Sequence, residues 1–367
     1  MTKTVIFAVG GSGGHVLPAQ IVAKEMQAAD ASLRVQFLGT RLSECKFFDA
    51  TKFDHVDIPS APLGFKRPFK ALTGLFQIVK GTWLAYNFLK HRNPGLVVGF
   101  GSYHSFPVIL AAALRKTPFM LFEPNVFAGR VNRWFASRSK AVLVPYTECR
   151  KYLSDPVVQV KIPFRQGFDE AFADKQKAAE YFGLKTGVFT VLVMGGSQGA
   201  RFLNTLCKET FEILADRGIH FQVIHLCGKP AEQRPIQEVY HRCRIPAVCK
   251  PFESSMHMAF ILADIAVCRI GAMAMAELIE FNLPAIVIPF PGAKDNHQDY
   301  NANFFVEHIA GGIKIKEEMA TTEKMLSVMM DLMGRDGKRL EEFRAHLKEF
   351  KSTLSTKMMA AYLLESL

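Results

Sequence analysis

Short apolar runs recur along this chain, and most of them end in a cluster of glycine or polar residues. The first, Val5 to Val9, leads into Gly-Gly-Ser-Gly-Gly-His. VQFLGT (Val35–Thr40), LVVGFGS (Leu96–Ser102), FMLFEPN (Phe119–Asn125) and AVLVPY (Ala141–Tyr146) follow in the first half. TVLVMGGSQGAR (Thr190–Arg201) repeats the opening pattern near the middle, ahead of FQVIHLCG (Phe221–Gly228), IAVCRIG (Ile265–Gly271) and AIVIPF (Ala285–Phe290). Runs that are continuously apolar, rather than alternating, suit strands covered on both faces. Their alternation with helix-compatible stretches predicts parallel sheets wound by helices. The pattern therefore predicts an α/β chain of two Rossmann-like domains in tandem. The linker is expected near Lys161–Gln166, where a proline interrupts the rhythm. Ligands bind beyond the carboxyl ends of such strands, so two facing sheets would share a cleft.

Composition supports this division. A chain of 367 residues suits two domains, and 49% hydrophobic residues supply sizeable cores. No apolar run is long enough to span a bilayer. The chain enters its first strand almost at once, and we expect no signal peptide. Seven cysteines without a CxxC pair are expected to be reduced thiols of a cytosolic protein. The net charge of +11 lies wholly in the first half: residues 1–160 carry 20 Lys and Arg against 9 Asp and Glu, and the remainder carries 25 against 25. A basic half-molecule suggests an anionic partner, whether nucleic acid, anionic lipid or a phosphorylated substrate. No recognised nucleic-acid motif accompanies the charge.

The glycine loops narrow the chemistry. A glycine-rich turn between strand and helix leaves backbone N–H groups at the helix start, where phosphate oxygens approach closely. The first loop reads G-x-G-x-x-V from Gly11, lacking the third glycine of a dinucleotide fingerprint, and Thr40 and Arg41 stand where an acidic residue would hold a ribose. Arg41 leaves a 2′-phosphate cofactor open. There is no GxxxxGK[ST]. A third site is CRIGAMAMAEL (Cys268–Leu278), whose small residues at a helix start suit a diphosphate and whose Glu277 could accept from both hydroxyls of a ribose. PFPGAKDNHQDYNA (Pro289–Ala302) is a polar loop after an apolar strand and suits a hydroxyl-rich ligand.

Taken together, GGSGGHVLPA, GFGSYHSFP (Gly99–Pro107), FEPNVFAGRVNR (Phe122–Arg133), GGSQGARFLN, CRIGAMAMAE and DNHQDYNA resemble the MurG family over almost the whole chain. These are the transferases that add GlcNAc to lipid I, the undecaprenyl-diphosphate-linked muramoyl-pentapeptide of bacterial cell-wall synthesis. The resemblance implies a GT-B fold whose last helices return to the first domain. The domains would then be 1–162 with about 343–367 for acceptor and membrane, and 163–342 for the donor. It implies that Ser197 and Arg165 hold the diphosphate and nucleotide of UDP-GlcNAc. The backbone at Phe252 and Glu253 would face uracil. Ala272, Met273, Ala274, Met275 and Ala276 would present N–H groups, Glu277 would take the ribose, and Gln298 with His297 the sugar hydroxyls. Ser12, Gly13, Gly14 and Asn125 would complete the site. Three stretches depart from the family: Phe122-Glu123-Pro124-Asn125, Lys161-Ile162-Pro163-Phe164-Arg165, and the second glycine loop with Ser102 and His104.

The implied reaction is inverting: the C4 hydroxyl of MurNAc attacks the anomeric carbon as UDP leaves. A base must take the hydroxyl proton. His15, leaving the first glycine loop, is the first candidate, with Glu123 and His104 behind it. No D-x-D occurs, so no protein-bound metal and no cofactor are expected. Residues 63–92 interleave Lys66, Arg67, Lys70, Lys80, Lys90 and Arg92 with Phe69, Leu75, Phe76, Val79, Trp83 and Leu84. Such a basic, aromatic-bearing segment can lie on an anionic membrane surface. It predicts a peripheral enzyme on the cytoplasmic face of the inner membrane, meeting lipid I there beside other cell-wall proteins. The other readings are a different lipid-acceptor glycosyltransferase, a UDP-GlcNAc 2-epimerase, and a non-catalytic UDP-sugar-binding subunit.

Overall fold

The computed structural model of the chain describes residues 3–11, 13–62, 68–164, 174–196, 199–334 and 337–367, those of 68–70 without their side chains. It divides into two compact units, Met1–Arg165 with Leu354–Leu367, and Gln166–Thr353.

In the first unit β1 (Thr4–Val9), β2 (Arg34–Gly39), β3 (His55–Asp57), β4 (Leu96–Gly99), β5 (Phe119–Phe122), β6 (Val142–Val144) and β7 (Val157–Gln159) form one sheet, ordered β3-β2-β1-β4-β5-β6-β7. Every pairing is parallel, with Val5 opposite both Val35 and Leu96. Parallel strands need crossovers, and helices α1 (Gly13–Ala29), α2 (Pro68–Arg92), α3 (Phe106–Arg115) and α4 (Arg130–Phe135) lie in these connections. The central strands are buried on both faces, which is why they read as unbroken apolar runs. A chain of phenylalanine rings crosses from β2 to β5: Phe37, Phe7, Phe100 and Phe122 follow one another at centroid distances of 5.5, 5.0 and 5.8 Å. The chain's last helix, Met359–Glu365, returns here, and Lys161 donates its N–H to Lys357 O at 2.8 Å.

In the second unit β8 (Thr190–Met194), β9 (Gln222–Leu226), β10 (Ala247–Lys250), β11 (Ile265–Cys268), β12 (Ala285–Val287) and β13 (Gly312–Lys314) form a parallel sheet ordered β10-β9-β8-β11-β12-β13. Its helices are α5 (Lys175–Phe182), α6 (Arg201–Asp216), α7 (Pro230–Arg242), α8 (Met256–Leu262), α9 (Ala272–Glu280), α10 (His297–Asn303), α11 (Thr322–Leu332) and α12 (Lys338–Ser352). The core joins β8, β9, β11 and β12 to α6 and α11. Return to the first unit was expected from about residue 343. Instead α12 packs in the second unit, where Lys351 pairs with Glu280 of α9 at 3.1 Å, and the chain crosses back only from Leu354.

Both sheets carry the doubly wound order in which the chain reverses direction beside its first strand. The reversal falls between β1 and β4 in one unit and between β8 and β11 in the other. The two Gly-Gly-Ser loops leave β1 and β8, one at each reversal.

Candidate functional site

At the first reversal, His15 stands in the first turn of α1, half-buried. Its Nδ1 lies 2.7 Å from Phe100 O, just past the end of β4. A carbonyl oxygen only accepts, so Nδ1 carries the hydrogen, and the neutral ring presents Nε2 as its basic nitrogen. Gly101 beside the ring takes φ +82°, a backbone conformation that L side chains avoid, and a β-carbon there would meet the imidazole Cε1 in ordinary contact at 3.4 Å. Gly13 is buried, with the Phe47 ring 3.5 Å from where its β-carbon would be, whereas Gly14 is exposed. Gln20 holds the Phe47 loop with both ends of its amide, donating to Phe47 O and accepting from Asp49 N, each at 2.8 Å. Ser12 lies outside the described residues.

The next exit, after β5, is organised by Glu123. Its carboxyl group is buried and takes four N–H donors: Asn125 N and Nδ2 on Oε1, both at 3.0 Å, and Gly129 N at 2.7 Å with Asn132 Nδ2 at 2.9 Å on Oε2. Burial pushes its pKa above the usual carboxylate range, and the four donors pull against that. With two N–H groups on each oxygen, the arrangement suits a carboxylate, which only accepts. Glu123 is thereby committed within the loop that holds Asn125. This argues against the base role considered for it. His104 lies against the Tyr103 ring, centroids 3.9 Å apart, beside Ser102, which adopts φ +68°.

At the second reversal, the exits of β8, β11 and β12 gather. Gly199, at φ +74°, lets the β8 loop approach β9 so closely that a β-carbon would stand 2.6 Å from Cys227 O. Ser197 and Arg165 lie outside the described residues. Helix α9 begins at Ala272 after an extended Gly271. The expected cradle of five N–H groups is shorter, because Met275 donates to Gly271 O at 2.9 Å and Ala276 is buried in the next turn. Ala272, Met273 and Ala274 supply the N–H groups outside the helical ladder. Glu277 is half-buried one turn on.

Glu253 was expected to act through its backbone, and its side chain is engaged elsewhere. Its buried carboxylate accepts from Tyr181 Oη at 2.9 Å and Ser255 N at 2.7 Å, and pairs with Lys250 at 2.7 Å. Burial works to raise its pKa, but these partners outweigh it and hold the group below the usual range. Phe252 beside it is exposed. Beyond β12, Gln298 Oε1 accepts from Phe290 N at 3.0 Å, and His297 Nδ1 donates to Lys294 O at 2.8 Å.

Arg269, which sequence reasoning left unused, ties this region together. It is buried at the exit of β11, donates to Ile288 O at 2.9 Å and Pro289 O at 3.1 Å, pairs with Glu317, and lies against the Phe290 ring. An arginine closing an apolar strand was the available signal, since a buried guanidinium requires several acceptors.

Helix α2 presents two apolar stripes. Gly74, Ile78, Gly81, Ala85 and Leu89 face inward. Leu75, Phe76, Val79 and Trp83 face outward, and Leu72, not among the expected residues, joins them; Phe76 is 69% and Trp83 63% exposed. Among the described residues no helix is long and apolar enough to cross a membrane. The side chain of Phe69 lies outside the described set.

The comparisons with known proteins agree with this geometry. Residues 5–144 match the glycosyltransferase family 28 N-terminal domain, and residues 190–357 the glycosyltransferase family 28 C-terminal domain. A Protochlamydia amoebophila protein named UDP-N-acetylglucosamine--N-acetylmuramyl-(pentapeptide) pyrophosphoryl-undecaprenol N-acetylglucosamine transferase is 36% identical over 342 residues, covering 92% of this chain and 90% of its own. The chain belongs to the MurG family of family 28 glycosyltransferases. A Chlamydia pneumoniae protein of the same name is 32% identical across 100% of this chain and 99% of its own. The crystal structure of Acinetobacter baumannii MurG superposes with a TM-score of 0.74 at 25% identity, covering 99% of this chain and 98% of that one. The MurG-family chain is thus an N-acetylglucosaminyltransferase of two Rossmann-like parallel-sheet domains.

Proposed function

We propose that this MurG-family chain transfers GlcNAc from UDP-GlcNAc to the C4 hydroxyl of MurNAc in lipid I, with inversion, at an anionic membrane surface. The observation that carries the reading is His15. Its Nδ1–H is committed to Phe100 O, which makes Nε2 the nitrogen able to take a proton, at the glycine loop of the first reversal. As the C4 oxygen forms its bond to the anomeric carbon, the bond to the UDP oxygen breaks and the hydroxyl proton passes to Nε2. Asn125, held by Glu123, serves the reacting sugars from the same unit. Ser12, Gly13 and Gly14 complete the site near the reacting carbon as the resemblance implies, and Gly14 is exposed where Gly13 is buried.

The N–H groups of Ala272, Met273 and Ala274, with Ser197 and Arg165, receive the diphosphate and stabilise its leaving charge. Glu277 accepts from the ribose hydroxyls, the backbone at Phe252 and Glu253 faces uracil, and Gln298 with His297 reads the sugar. The outward stripe of α2, with Lys80 beside it, lies on the membrane that holds the acceptor's lipid, at the cytoplasmic face of the inner membrane. The names of the two relatives support the substrate pair.

The test is incubation of purified protein with labelled UDP-GlcNAc, with and without a lipid I analogue. Label in the lipid fraction, with UDP release dependent on that lipid, is the expected result. Label confined to the aqueous phase would overturn the acceptor assignment, and formation of ManNAc would identify an epimerase instead.

A further inference from the structure

Helix α10 carries Gln298 and His297 in its first turn, yet has little of its own to hold it. It has seven residues, too few to be stable alone. Its N-cap, Asn296, is left-handed and makes no side-chain cap bond. Its far end passes directly into a π-turn, Phe304–His308, where the helical ladder changes register. The pose of α10 therefore depends on tertiary tethers, and among the described residues three of them run through side chains of the helix. Asn301 Nδ2 donates to Ile270 O at 3.2 Å, just past β11. Gln298 Oε1 accepts from Phe290 N at 3.0 Å, past β12. Lys314, the last residue of β13, places Nζ 2.6 Å from Asp299 Oδ1 and 2.6 Å from Asn303 Oδ1. The three anchors come from three neighbouring strands, so α10 lies across their carboxyl ends.

Of these three tethers Lys314 is the charged one, and it grips two turns of the helix. Asp299 and Asn303 are four residues apart and share a face, and an ammonium group spends two of its three donors on them. Its side chain is 15% exposed, so water replaces these bonds poorly.

We infer that Lys314 is a positioning residue for donor-sugar recognition: it sets the pose of α10 and so the aim of Gln298 and His297. This rests on the proposal that Gln298 and His297 read the sugar of UDP-GlcNAc. The diphosphate cradle belongs to α9 and the β8 loop, neither of which Lys314 touches through these bonds. Loss of Lys314 should therefore affect the sugar and spare the nucleotide.

The experiment compares Lys314→Met, which keeps the apolar stem, with Lys314→Arg, Asp299→Asn and Gln298→Ala. It measures the KM for UDP-GlcNAc, binding of UDP alone, and preference for UDP-GlcNAc over its C4 epimer UDP-GalNAc. Lys314→Met is expected to raise the donor KM about tenfold and to erode the preference by a similar factor. UDP binding should stay within about twofold, and Lys314→Arg should recover most of the loss. Asp299→Asn should shift the same quantities in the same direction, and decides the matter if Lys314→Met does not fold. A folded Lys314→Met or Asp299→Asn with wild-type donor KM and preference overturns the inference. So does an equal loss of UDP and UDP-GlcNAc binding, which is general damage to the unit. Gln298→Ala separates the two levels. If it weakens UDP-GlcNAc while Lys314→Met does not, only the positioning role falls; if it leaves UDP-GlcNAc binding unchanged, the sugar-site reading falls and the inference with it.

Discussion

Replacing Glu123 by Gln changes one oxygen into an NH2 group and little else, yet this carboxyl group accepts two N–H bonds on each oxygen. In either amide orientation, the new donor faces two existing donors. Placed at Oε2 it opposes Gly129 N and Asn132 Nδ2; placed at Oε1 it opposes both nitrogens of Asn125. Two bonds to a charged acceptor are lost, at about 1.5–3 kcal/mol each, while relief from burying a charge returns part of that. The net cost is about 3 kcal/mol. For a unit of this size the melting temperature should fall by about 10 °C. Differential scanning calorimetry resolves the effect if the two units melt separately, and Gln222, buried in the second unit, offers a control site. Because Asn125 loses its anchor, kcat should fall even at temperatures where the variant is folded. A Glu123→Gln protein that melts with wild type would refute the reasoning. It would mean that the carboxyl group is protonated and already presents a hydrogen to the cluster, in line with burial having won over the donors.

His15→Ala should lower kcat by roughly 10²–10⁴ if Nε2 takes the proton, and a folded variant losing less than tenfold would remove His15 as base. Phe76→Ser with Trp83→Ser should abolish co-sedimentation with anionic vesicles at low salt while leaving the fold intact; a double variant that sediments like wild type would take α2 out of membrane binding. His225 is buried between Tyr240 Oη at 2.8 Å and Asn204 Oδ1 at 3.1 Å, and burial lowers its pKa to about 3. The unfolded chain takes up this proton near pH 6.5, so His225 contributes full stability above that pH and loses it as pH falls towards 3, at about 1.4 kcal/mol per unit. Urea midpoints at pH 7.5 and pH 5 should therefore diverge more for wild type than for His225→Gln, and equal slopes would refute the account.

The central strands of both sheets are legible in the amino-acid sequence alone. Val5–Val9, Leu96–Gly99 and Thr190–Met194 are apolar without interruption because helices cover both faces, and burial of that kind writes itself into composition. The four strands the pattern did not reveal, His55–Asp57, Val157–Gln159, Ala247–Lys250 and Gly312–Lys314, are the four edges of the two sheets. An edge strand is short and partly wet, so it needs no distinctive run, and only its neighbour's backbone makes it a strand.

The site divides in the same way. Glycine loops, Glu277 and Gln298 announced themselves because each follows a strand, and a strand's end is where such folds bind ligands. Sequence spacing alone did not assign the imidazole hydrogen of His15, since that depended on Phe100 O, 85 residues away. Nor did it distinguish Glu123, four times hydrogen-bonded, from a base, or mark Lys314 as the anchor of α10. The outward stripe of α2 shows the limit most directly. Apolar residues at helical spacing ordinarily face a core, and here the inward places were taken by Gly74, Ile78, Gly81, Ala85 and Leu89. The sequence determined which segments would be buried strands and where the loops at their ends would fall, because local burial and turn chemistry act on neighbouring residues. Tertiary structure alone decided which polar atoms met and which of two apolar faces was left outside, because those depend on partners brought together only by folding.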